Sequence, residues 1–220
     1  MVREHMTAWQ RAWQQALALV FSSPCVVCGD LTGPVCDACA PVPLLQRRRL
    51  DGGLMCVSGA AWGDETASVM LALKEDGVTR VARDLAPLLL TAHGSAIAGS
   101  TARVTLIPVP TRPAADRRRG YRPVEVLLRA AGLPFRRALR VTSAVRDQRE
   151  LGRDERARNT QGAFAVRRTA PILGPVIVVD DVVTTGATLV NSARTLTSAG
   201  FDVLASMTVL STPRRLPLNS

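Results

Sequence analysis

A chain of 220 residues suits one principal domain with a small appendage, and at that size roughly 70% of the unfolded surface can be buried, so a core needs no disulfide staples. The formal charge is +10, from 28 basic and 18 acidic residues, and five cysteines are an odd number that speaks against a secreted disulfide framework. No segment approaches the roughly 20 consecutive apolar residues that a membrane-spanning helix needs, and a reducing, cytoplasmic setting is expected.

Taken in chain order, residues 1–21 place Met6, Trp9, Trp13, Leu17 and Val20 on one helical face. Gln14 and Gln15 interrupt the apolar stretch and no small-residue cleavage site follows, so this segment reads as an amphipathic docking helix rather than an export signal. Residues 22–45 hold Cys25-x-x-Cys28 and Cys36-x-x-Cys39, separated by Gly29 to Val35. That spacing is expected to hold a structural zinc ion in a closed four-thiolate knuckle site. Zinc would supply about 10 kcal/mol of folding energy to a segment too small for a core of its own. Prolines, a charge run and paired glycines make PVPLLQRRRLDGG, 41–53, a linker.

The main domain is expected over 54–212. LMCVSGAAW, 54–62, reads as a strand with Cys56 as a buried core thiol, followed by helices over Glu65–Lys74 and about Val78–Ala92. VTLIPVP, 104–110, is a buried strand that must leave its sheet at the prolines. Tyr121–Ala131 is a helix stopped by Gly132, RRALRV a short strand, and the arginine-rich 143–162 a loop or weak helix. PVIVV, 175–179, is a short β-branched run of the kind buried in parallel sheets. After it, Leu189, Ala193, Leu196 and Ala199 recur at helical spacing until Gly200, and DVLASMTVL forms the last strand. This alternation predicts an α/β fold with a parallel sheet covered on both faces. His5 and His93 read as surface residues, and no Ser-His-Asp or Cys-His constellation is visible.

The densest chemistry lies in VIVVDDVVTTGATL, 176–189, at a strand-to-helix turn. In open α/β sheets, ligands bind at the carboxyl ends of strands. Asp180 and Asp181 are neighbours in a strand and point to opposite faces, so sharing one target requires the strand to break there. Thr184, Thr185, Gly186, Ala187 and Thr188 then bring hydroxyls and unpaired amides to a helix N-terminus, suited to a phosphate monoester. The acids are suited to sugar hydroxyls or to a hydrated magnesium ion. Together these groups specify a phosphorylated sugar.

This block resembles the ribose-phosphate signature of type I phosphoribosyltransferases, whose paired acids meet the ribose hydroxyls and whose threonine-glycine loop holds the 5′-phosphate. "PCVVCG" with "CDAC", "LALKEDG", "IPVPTRPAADRRRGYRP", "RDQRELGRDERARNTQGAF" and the 176–189 block follow the order seen in the ComF family, over residues 20–210. The chain departs from that pattern at Tyr121-Arg122-Pro123, where the family usually continues with an asparagine and a glutamine. The resemblance implies a type I phosphoribosyltransferase-like sheet flanked by helices, behind a small zinc module. It further implies binding of phosphoribosyl pyrophosphate, or a related ribose 5-phosphate, with magnesium, and a role in DNA uptake and natural competence beside the uptake machinery.

Seventeen arginines stand against six acids between Arg103 and Arg168, whereas the rest of the chain has eleven basic and twelve acidic residues. The whole charge excess therefore lies beside the phosphate site. Thr111, Arg112 and Arg119 fall where the related enzymes place their pyrophosphate loop; Arg117, Arg118, Arg149, Arg153, Arg156 and Arg158 are candidates for the backbone of single-stranded DNA. Aromatic platforms are sparse, so strand binding is expected to be electrostatic and steeply salt-dependent. Two alternatives stand beside this reading: a working phosphoribosyltransferase of nucleobase salvage, and a non-catalytic sensor of the sugar phosphate. A base-binding hood would favour transfer, and none is recognisable in residues 54–100.

Overall fold

The computed structural model describes residues 23–111, 113–142, 163–167 and 174–213. The docking helix expected over 1–21 lies outside them. The chain divides into two compact units, one up to Ala40 and one from Pro41 onward.

The second unit is built on a mixed, mostly parallel five-stranded sheet in the order β1-β2-β7-β6-β3. The strands are β1 (Gln46–Arg49), β2 (Met55–Ala61), β3 (Thr105–Pro108), β6 (Val176–Val183) and β7 (Val203–Ser211). β2–β7, β7–β6 and β6–β3 pair in parallel, and β1 runs antiparallel to β2 at the edge. A separate antiparallel pair joins β4 (Leu139–Val141) to β5 (Phe164–Val166).

β6 is the spine of the sheet because Val176, Ile177, Val178 and Val179 are all fully buried and so have no polar face to leave in water. Val176 and Val178 join one apolar cluster with Leu189, Ala193 and Leu196 of helix α5 (Ala187–Ser198). Helices α1 (Asp64–Lys74) and α2 (Ala82–Ala96) follow β2, and α2 packs on β2 and β7. At α1 the hydroxyl of Thr66 accepts the Gly63 amide at 2.9 Å, which fixes the start of the helix. Gly59 lets β2 and α2 meet: a Cβ there would lie 2.1 Å from the carbonyl oxygen of Leu88. Two further helices, α3 (Pro113–Arg119) and α4 (Pro123–Ala130), follow β3, with Pro123 at the favoured first position of α4.

Three expectations need correction. The stretch 41–53 contains β1, so it is part of the sheet rather than a linker; its QRRR sequence lacks apolar alternation because it is an edge strand with Arg47 and Arg49 exposed, and charge at an edge is tolerated. β1 also makes the sheet mixed rather than wholly parallel. The third concerns the helix expected to end near Ala92: α2 runs on through His93 and Gly94 to Ala96, because Gly94 does not take the left-handed conformation with which a glycine caps a helix.

Candidate functional site

The first unit contains Cys25, Cys28, Cys36 and Cys39, whose sulfurs all lie within 4.8 Å of one another. The Cys28 and Cys36 sulfurs are 3.6 Å apart. A tetrahedral zinc–thiolate site with bonds near 2.3 Å has sulfurs about 3.8 Å apart, so the four side chains fit a structural metal such as zinc. Backbone hydrogen bonds from Cys28 and then Cys36, the latter at 3.4 Å, hold the Cys25 thiol down to about 6 and favour the thiolate a metal requires. Hydrogen bonding with Cys36, followed by burial, pushes the Cys39 thiol up. Crowded thiols behave this way when only one can be the anion, and a cation among them relieves that conflict. Cys56 belongs to the other unit, where it is buried on β2 with its thiol raised by burial.

In the second unit the acids and the threonine-glycine bend sit at the carboxyl end of β6. β3 ends at Pro108 opposite Val179, and the Val109 amide donates to the Val179 carbonyl at 2.8 Å. Beyond that bond β6 continues through Asp180 and Asp181 to Val183, still paired with β7, so the strand does not break at the acids. The expected break is therefore corrected: β7 is long enough to carry the ladder to Ser211. Alternation sends the two carboxylates to different sides. Asp181 meets Lys74 at the end of α1, with the ammonium nitrogen 3.1 Å from Oδ1 and 3.0 Å from Oδ2. Asp180 turns Oδ1 back to accept the Asp181 amide at 2.9 Å. Burial first, and the adjoining Asp181 charge second, push the Asp180 carboxyl up to about 8, so it carries a proton at neutral pH.

After Val183 the chain bends through Thr184 and Thr185, both exposed, to Gly186, which caps α5 with φ of 86°. That left-handed conformation suits glycine, and a Cβ would also lie 2.7 Å from Leu50 Cδ2, so the bend is closed tightly onto the residue that follows β1. Arg48 of β1 donates to the Thr184 carbonyl. The Thr185 hydroxyl accepts the Ala187 amide at a long 3.3 Å. Thr188 is exposed on the first turn of α5. Positive helix end, hydroxyls and Arg48 make this bend suitable for an oxyanion.

Of the remaining arginine candidates, Arg118 and Arg119 both reach Glu75, at 2.9 Å and 2.7 Å, while Arg117 is exposed on the last turn of α3. Thr111 lies just past the end of β3. Arg112, Arg149, Arg153, Arg156 and Arg158 lie outside the described residues. Sequence reasoning missed Lys74 as the partner of Asp181 and Arg48 as the partner of Thr184. The signal for Lys74 was its being the sole lysine in the chain; for Arg48 there was none in the local pattern.

Among the described residues, no helix is long and apolar enough to cross a membrane. Compared with known proteins, the chain matches no family model and no curated relative.

Proposed function

We propose that this is a ComF-like protein with a type I phosphoribosyltransferase-like domain, which binds phosphoribosyl pyrophosphate with magnesium and acts on incoming single-stranded DNA at the cytoplasmic side of the uptake machinery. One observation carries the reading. The two acids lie in the second half of a buried parallel strand, and two residues after them, past Val183, a threonine-glycine bend opens a helix, so acceptors for sugar hydroxyls and donors for an esterified phosphate lie within one short segment.

In this reading the Thr184–Thr188 bend takes the 5′-phosphate and one acid of the Asp180–Asp181 pair meets the ribose hydroxyls, since the unbroken strand turns the two carboxylates to different sides. Thr111, with Arg112 and Arg119, serves the pyrophosphate end. Lys74 already neutralises Asp181, so a magnesium ion there is held through its waters and through ligand phosphates rather than by a bare carboxylate cage, which is the usual manner of magnesium. Bound magnesium would supply charge neutralisation on the pyrophosphate. Arg117 and Arg118, exposed on α3, extend toward a nucleic-acid backbone.

Binding without turnover is favoured over base transfer because residues 54–100 are occupied by β2, α1 and α2, elements of the main fold. Calorimetric titration with phosphoribosyl pyrophosphate and magnesium tests the binding. Saturable heat is expected, and its absence removes the proposal. Release of diphosphate in the presence of any one of a panel of nucleobases would instead establish the transferase.

A further inference from the structure

A cleft of about 300 Å³ opens beside the end of β3, between α3, α4 and the β4–β5 pair. Neither the acid pair nor the threonine-glycine bend lines it. Its floor is apolar, from Pro108, Val109, Val124, Leu139 and Val141, and five arginines stand around it: Arg117, Arg122, Arg137, Arg140 and Arg167. Among the described residues, two acids face them, Asp116 and Glu125.

Glu125 is 4% exposed and organises the cluster. Arg137 grips it in a two-pronged pair, Nε to Oε1 at 2.7 Å and Nη2 to Oε2 at 2.5 Å; Arg122 adds a bond at 3.3 Å and Arg129 one at 3.2 Å. One carboxylate therefore holds several guanidinium groups against one another, and hydrogen bonds to Arg137 and Arg122 keep it ionised against the opposing effect of burial. Among the described residues Arg117 and Arg140 have no carboxylate partner, and Arg167 spends only its Nε, on the Leu139 carbonyl at 3.1 Å. Among the described residues the cleft thus carries more positive than negative charge above an apolar floor. Its second acid carries the opposite need: Asp116 binds Arg122 through Oδ2 at 2.8 Å, but its Oδ1 is buried without a donor. A buried acceptor left unpaired costs free energy that a ligand's own N–H or O–H can restore.

We propose that this cleft binds a nucleotide, free or as one unit of a single strand, with its phosphate on the arginines, its ring on the apolar floor and a donor group on Asp116. The volume lies at the small end of ligand pockets, which suits one nucleotide rather than a larger body. Inorganic pyrophosphate satisfies the charge but offers little to the floor or to Asp116. The cleft shares neither the acid pair nor the bend with the sugar-phosphate reading above, but Thr111 and Arg117 line it, so it rests on that reading where those two residues are concerned.

The test is calorimetry at 50 mM salt with thymidine 5′-monophosphate, oligo(dT) and pyrophosphate, on the full chain and on R117A/R140A and D180N/D181N. Both arginines are exposed, and an unchanged melting temperature confirms that their variant folds. The nucleotide should bind the parent chain more tightly than pyrophosphate does, weaken tenfold or more in R117A/R140A, and change less than twofold in D180N/D181N. If oligo(dT) binds more tightly than the mononucleotide, a strand is the ligand, and the double variant should reduce its salt slope by about 1.4 for two lost phosphate contacts; equal affinities identify the free nucleotide. Undiminished binding by R117A/R140A, or loss confined to D180N/D181N, overturns the cleft. Loss of phosphoribosyl pyrophosphate binding in D180N/D181N with nucleotide binding intact leaves both proposals standing.

Discussion

Replacing Gly186 by alanine probes how the phosphate-facing bend is built. Two costs combine. The left-handed backbone at φ of 86° penalises any non-glycine residue by about 1–2 kcal/mol. The added methyl would meet Leu50 at 2.7 Å from Cδ2, 2.8 Å from Cδ1 and 3.2 Å from Cγ. Those are ends of a side chain, which can shift, but Leu50 is 6% exposed and packed in the α5 cluster, so the shift adds about 1–2 kcal/mol of overpacking. G186A should therefore lose about 2–4 kcal/mol in urea unfolding, and L50A alone about 2–3 kcal/mol from the cavity. Because L50A removes the obstructing atoms, the double variant should be less destabilised than the sum of the singles by about 1–2 kcal/mol. Additivity within about 0.5 kcal/mol would refute the claim that Leu50 closes the bend.

Two other outcomes follow from the site chemistry. The Asp180 carboxyl is raised to about 8, so between about pH 4 and pH 8 the unfolded chain has lost a proton that the folded chain keeps, and this group lowers stability as pH rises. D180N lacks that proton linkage; its gain in melting temperature over the parent should be larger at pH 8 than at pH 4.5, and a gain constant across pH contradicts the shift. Elemental analysis should find one zinc per chain, and a strong chelator should release it together with the ordered structure of the cysteine unit; well-folded protein without metal would remove the knuckle.

The sequence disclosed what is decided locally. The aliphatic run of β6 and the apolar spacing of α5 are short-range signals, and both elements appear within a few residues of their expected bounds. The paired Cys-x-x-Cys spacing likewise anticipated a cluster, because three-residue separations bring thiols together without help from the rest of the fold. β1 was hidden because nothing in QRRR marks a strand; its register comes from β2, ten or so residues further on. Lys74 and Asp181 are 107 residues apart, and Arg48 and Thr184 are 136 apart, so their pairing depends on strand order that one sequence does not state. The arginine cleft was concealed for a related reason. Its charge excess was legible, but which arginines Glu125 gathers, and which stay unspent, is settled only when α4 and the β4–β5 pair meet.

The most direct test of the account compares the affinity of the parent chain and of D180N/D181N for phosphoribosyl pyrophosphate with magnesium, both held at pH 7.5 and checked by circular dichroism. The account predicts saturable binding by the parent and at least a tenfold loss in the variant, with the fold unchanged. Equal affinities in two folded proteins would contradict it.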